Sequence, residues 1–192
     1  MKQLILVIIV LVSTICQAEI GVFLGARSGS TDASSFTSGG GISPQTGQGS
    51  YEGGFYFNHN WNSIFGFRTG IMGSQFAYGY YLGTLMNSFN GTETVFAVPL
   101  YLKADLGAYF SLIAGGYYWT VVSNTCSDTG IFAGSKCYIG NGAGVSPRGG
   151  FGLNFGKTFE LDLFYEPSAL LNSATTANYT VTSYALDLVL KF

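Results

Sequence analysis

In "FELDLFYEP", residues 159–167, Glu160, Asp162 and Glu166 stand on alternating positions. Three acids on one strand face could hold a cation or supply a paired acid and base. Arg27, Arg68, Lys103 and Arg148 share the phase of the acids in their own segments, which favours ion pairing over catalysis or metal binding. The single His, His59, falls in a predicted turn. A hydrolase of the Ser-His-acid kind needs its His beside a nucleophile. "GNGAG" (residues 140–144) has neither the Lys nor the strand–helix context of a phosphate loop. No catalytic residue, metal ligand or cofactor is assigned, and the chain is read as non-enzymatic.

Composition narrows the class. Charged residues are 9% and aromatics 16% of 192, with 28 Gly. A soluble domain carries about 25% charged residues. The chain has too little charge to cover a wet surface, and no basic patch to displace counterions from nucleic acid.

Residues 1–18 have the pattern of a secretory signal. Lys2 precedes an unbroken apolar run, Leu4–Val12, and Cys16 and Ala18 form a small-x-small cleavage site. The run is well short of the roughly 20 residues of a spanning helix. The expected mature chain is 19–192, with seven Lys and Arg against ten Asp and Glu. Cys126 and Cys137 then remain as an even pair in an exported chain, and a disulfide is expected. Closing a loop of about a dozen residues contributes roughly 3 kcal/mol in the chain-entropy model.

Period two recurs through the rest. Eight strands are predicted: Ile20–Ser28, Gly49–Asn58, Ser63–Tyr78, Thr94–Asp105, Ala108–Val122, Val145–Phe155, Thr158–Glu166 and Val181–Phe192. The connectors alternate long and short. The long ones are 29–48, 79–93, 123–144 and 167–180; the short ones are 59–62, 106–107 and 156–157. In an up-and-down arrangement, all long connectors then fall at one end and all short ones at the other. Pro99 removes a ladder donor and predicts a local irregularity.

Each strand separates its charges from its apolar residues. Eleven charges, Arg27, Glu52, Arg68, Lys103, Asp105, Arg148, Glu160, Asp162, Glu166, Asp187 and Lys191, all oppose an apolar face. The facing of Ala108–Val122 is left open. Alternation alone does not say which face is inside. Three features select an enclosed polar face: it is rich in Gly, its five positive and six negative charges nearly cancel, and the chain carries an export signal. One Lys or Arg turned to lipid at mid-depth would cost about 2–4 kcal/mol. Aromatics cluster at the strand ends, with Trp61 at the short-turn end and Tyr78, Tyr80, Tyr81, Tyr117, Tyr118 and Trp119 at the other, where headgroup-level girdles are expected.

"VPLYLKADLGAYFSLIAGGYYW" and the ending "YALDLVLKF", with the eight period-two segments and the signal, resemble the small bacterial outer-membrane β-barrel proteins. The resemblance spans the mature chain and implies an eight-stranded antiparallel up-and-down transmembrane β-barrel with four outer loops and tight periplasmic turns. It implies that Tyr184, Leu186, Leu188, Leu190 and Phe192 form the signal read by the barrel-assembly machinery. It is weak for function, because this fold serves several. The expected partners are outer-membrane lipid, the assembly machinery and an extracellular or host ligand at the loops, with a monomeric barrel. A narrow channel for small or apolar solutes is the alternative, and a lipid A-modifying enzyme a further one.

Overall fold

A computed structural model describes residues 18–32, 42–44, 46–82, 87–129, 142–172 and 178–192. The expected signal segment lies outside these residues, apart from Ala18. Among the described residues there are nine strands and no helix. They are β1 (Ala18–Asp32), β2 (Ile42–Pro44), β3 (Thr46–Asn60), β4 (Phe65–Leu82) and β5 (Asn87–Leu106). They continue with β6 (Phe110–Thr129), β7 (Ala143–Phe155), β8 (Phe159–Asn172) and β9 (Asn178–Lys191). The short β2 extends the line of β3 along β4, pairing Ile42 with Leu82 and Pro44 with Tyr80. Nine strands therefore form eight staves.

Every stave pairs antiparallel with its sequence neighbours, and β9 pairs with β1, Val22 facing Leu190. The sheet closes on itself, so that no strand is left as a free edge. Each predicted strand overlaps one observed stave, and only residues 63–64, 108–109, 158 and 192 fall one or two positions outside it. Tight turns close one end. Gly107 and Gly156 take φ values of 85° and 70°, which a side chain would disfavour. In the remaining turn, Asn62 Oδ1 accepts the N–H groups of Ile64 and Phe65 at 2.8 and 2.7 Å.

The strands run further toward the opposite end than the sequence predicts. The stretch 79–93 is a continued β4–β5 hairpin with only 83–86 between the strands, rather than a long loop. Its Gly79 and Asn90-Gly91 suggest turns locally, but the ladder carries through them, Gly79 facing Asn90. β6 likewise continues to Thr129 along β5, beyond its last pair with β7, Thr120 with Ala143. At Pro99 the β4–β5 ladder passes from Thr69–Leu100 to Met72–Ala97 without the pairs between, and Thr69 Oγ1 donates to the Pro99 carbonyl at 2.8 Å. The β7–β8 ladder stops at Gly149–Tyr165 although both strands continue. Two residues on, Pro147 would face Pro167, and neither has an N–H to give.

The two faces of the wall differ in kind. Leu24, Phe55, Ile71, Leu100, Leu112 and Leu188 lie on the outside, more than half exposed. The inside is filled. Phe23, Tyr56, Met72, Tyr101, Ile113 and Phe164 are buried there among charged side chains. Exterior aromatics form two rings: Trp61, Phe65, Tyr109, Phe110, Phe155 and Phe192 near the turns, and Tyr51, Tyr118, Tyr165 and Tyr184 further along. From Phe110 to Tyr118 is eight residues, which at about 3.3 Å rise and 40° tilt spans about 20 Å of membrane height. A polar core inside an apolar belt is the inverse of a soluble barrel, and suits a bilayer.

Candidate functional site

The site is the lumen. β1 carries Arg27 inward, 3% exposed, because Phe23, Gly25 and Arg27 share one pleat face. Its guanidinium donates to Glu52 Oε2 at 3.0 Å, to Ser183 Oγ at 2.8 Å and to Ser74 Oγ at 3.2 Å. It is also bonded to Glu166, whose other oxygen accepts the Tyr117 hydroxyl. Five staves thus meet on one cation. Next comes Arg148 of β7. It donates to Glu52 Oε1, lies 3.5 Å from Asp187 Oδ2 and sits 4.0 Å over the Phe164 ring. The Tyr56 hydroxyl donates to Asp187 at 3.3 Å.

Nearer the turns, Arg68 of β4 donates to Asp162, to Glu160 Oε2 at 2.9 Å and to Asn58 Oδ1 at 2.6 Å. Lys103 and Lys191 close this tier on Glu160, at 2.9 and 3.3 Å. Asp105 stands at the mouth, its side chain 26% exposed and 3.5 Å from Lys103. A polar cup of about 290 Å³ opens here, with Glu19, Lys103, Asp105, Asn154, Lys157 and Lys191 in its lining. The other ten of the eleven sequence-predicted charges are buried. Arg27, Arg68 and Arg148 have side chains no more than 1% exposed, so no water-sized space reaches them.

The structure places the remaining residues as follows. Tyr184, Leu186, Leu188 and Phe192 face outward, 46–75% exposed, and Leu190 is partly covered. Cys126 faces Gly91 in the β5–β6 ladder; its side chain and Cys137 lie outside the described residues. His59 is in β3 opposite Phe67 rather than in a turn, because pairing continues to Asn60–Gly66; its ring packs 5.4 Å from that of Phe67. Among the described residues, no three His, Cys, Asp or Glu are arranged to hold a metal ion.

Two aromatics differ from expectation. Tyr117 and Trp119 point into the lumen, 1% and 2% exposed, rather than into a girdle, and only Tyr118 between them faces out. Their polar atoms have partners inside: Trp119 Nε1 donates to Ser146 Oγ at 3.1 Å, and Tyr117 bonds Glu166. Sequence reasoning also missed Glu93, which is 1% exposed inside the barrel. Its odd position continues the phase of Val95, Tyr101 and Lys103, and that phase was the available signal.

Fold and lumen together define an eight-stranded transmembrane barrel of the small outer-membrane type, closed by internal ion pairs. No protein-family model matches the chain, and no curated protein does. Solved structures do. Ail, the attachment invasion locus protein of Yersinia pestis, superposes with a TM-score of 0.52 at 12% identity, over 92% of this chain and 99% of that one. Neisserial surface protein A superposes with a TM-score of 0.52 at 12% identity, over 90% and 97%. These likenesses carry the fold.

Proposed function

We propose that the protein is a non-enzymatic integral protein of a bacterial outer membrane that presents its long-strand end to the exterior for surface interaction. The carrying observation is the filled lumen: the Arg27, Arg148 and Arg68 tiers occupy the bore, and their guanidiniums are sealed from water. A barrel built this way is a rigid stalk. What varies in function is then the segments joining β1 to β3, β4 to β5, β6 to β7 and β8 to β9, where binding residues concentrate in such scaffolds. Two structural neighbours bear names of attachment and surface proteins, which agrees with this reading.

In the same reading the chain is exported by a signal cleaved after Ala18. The outward Tyr184, Leu186, Leu188, Leu190 and Phe192 meet the barrel-assembly machinery, a Cys126–Cys137 bridge stiffens the third outer segment, and the barrel works as a monomer in lipid. Single-channel recording on purified protein in planar bilayers tests the central point. The expected result is no steady conductance. A steady conductance would favour the narrow-channel alternative and remove the basis for a sealed stalk.

A further inference from the structure

On the outer wall near the turns, two cross-strand rows alternate large and small residues. Phe65 of β4 faces Ala104 of β5, which faces Leu112 of β6. One row further from the turns, Phe67 faces Leu102, which faces Ala114. The two alanines therefore lie on a diagonal between Leu102 and Leu112, both more than half exposed. They leave a recess of about 190 Å³ in the wall. Trp61 borders it at the turn end. The turn fixes that residue: the N–H groups of Trp61 and Asn62 donate to the Phe65 carbonyl at 2.9 and 3.2 Å, and the indole lies 6.0 Å from the Phe67 ring.

The chemistry of the recess is hydrocarbon. Gly66 and Lys103 also border it, but both belong to the inward phase, and Lys103 Nζ lies on Glu160 inside the lumen. The one polar group on the lining side chains that face out is the Trp61 indole N–H. Beyond Ala114 the outer face of β6 stays low, because Gly116 follows in the same phase before Tyr118. From Leu112 to Gly116 is four residues, about 10 Å of height at 3.3 Å rise and 40° tilt. That is within one leaflet of a hydrocarbon core about 30 Å thick.

The recess is continuous with the apolar belt, which is the face that lipid covers. Left empty, it would deprive its lining atoms of dispersion contacts. A second barrel presents a convex wall, which bridges a dent rather than filling it. A peptide would bring N–H and C=O groups that the hydrocarbon walls cannot pair. An acyl chain is thin and flexible and carries no polar group below its ester. We propose that the recess holds one acyl chain of a phospholipid from the leaflet at the turn end, retained while the surrounding lipid exchanges. The Trp61 indole stands at the level of the ester and headgroup, where its N–H finds acceptors. The inference rests on the barrel lying in lipid and is independent of what the outer segments bind.

The test uses the protein folded in dioleoylphosphatidylcholine vesicles, extracted into mild detergent and weighed intact by native mass spectrometry. Wild-type barrels should retain one lipid. Ala104→Leu and, separately, Ala114→Leu fill the recess, and the retained fraction should fall about tenfold in each, as losing roughly two buried methylenes does. Val98→Leu adds bulk to the outer face of β5 beside Tyr118, outside the recess, and should retain lipid as the wild type does. A second readout is quenching of tryptophan emission by lipid with brominated chains. Trp119 is enclosed in the lumen and gives a constant background, so the quenched part reports Trp61, and it should shrink in both alanine variants but not in Val98→Leu. Equal retention in all four proteins, no retained lipid on the wild type, or the same loss in Val98→Leu would overturn the proposal. Absence of any quenching would overturn it together with the outward facing of the belt, whereas quenching that ignores the alanine variants overturns the retained lipid alone. If one alanine variant does not fold, the other decides.

Discussion

Replacing Arg27 by Met is the most informative single change. Met keeps an apolar stem but removes the cation that joins Glu52, Ser74, Glu166 and Ser183. Glu52 keeps Arg148. Glu166 keeps only the hydroxyls of Tyr117 and Ser183, the latter at 3.3 Å. The cost is therefore set by one buried carboxylate without its cation, about 3–5 kcal/mol. Adding Glu166→Gln removes that stranded charge, so the double variant should recover part of the loss. A double-mutant cycle should give a coupling of about 2 kcal/mol, within the range for residues of one network. Urea unfolding in lipid vesicles, followed by tryptophan fluorescence, measures both. Trp119 lies within the lumen, bonded to Ser146, and reports on it. A single-variant loss below about 1 kcal/mol, the worth of an exposed ion pair, would refute the view that this tier is sealed and structural.

Other outcomes are expected from the same geometry. Leu188→Lys places a cation on the outer face, where Leu188 is 52% exposed, and should cost about 2–4 kcal/mol in vesicles, whereas an equivalent change on a wet face would cost little. Gly25→Ala sets a methyl 1.8 Å from Asp187 Oδ1 and should destabilise by about 1–3 kcal/mol, as overpacking does; an unchanged urea midpoint would show that the lumen has spare room there. Above the Gly149–Tyr165 pair, amides of Ala143–Arg148 that face β8 should exchange about 100-fold faster than those that face β6, because only β6 continues its ladder. Uniform protection across that stretch by hydrogen exchange would contradict the unpaired seam.

The membrane-crossing part of every stave but β6 was legible because its two faces have opposite demands; β6 carries no charge in residues 110–122, so its facing was left open. Asp187 and Lys191 alternate with Leu186, Leu188 and Leu190, and no other register keeps charge from lipid. Beyond the outer tyrosines this contrast disappears. Ser28, Gly29 and Ser30 in β1, and Ser123, Asn124 and Thr125 in β6, are polar at every position, so period two carries no signal and the extended strands looked like loop. Tyr117 and Trp119 were misplaced for a related reason. An amphipathic ring suits either a headgroup girdle or a lumen with acceptors, and only the positions of Glu166 and Ser146 decide between them. Which cation meets which acid was not legible at all. Arg27 and Glu166 are 139 residues apart, and their meeting depends on how the closed sheet staggers its strands.

The most direct measurement is methyl NMR of the native protein in lipid with two paramagnets, one on a lipid chain and one confined to water. The lipid-borne probe should broaden the methyls of Leu24, Leu100 and Leu188, which lie on the exterior, and spare those of Val95, Ile113 and Val189, which are buried inside. The water-borne probe should leave both sets sharp within the apolar belt. Broadening of Leu100 and Leu188 by the aqueous probe, with Val95, Ile113 and Val189 broadened by the lipid-borne one, would contradict the enclosure of the charges.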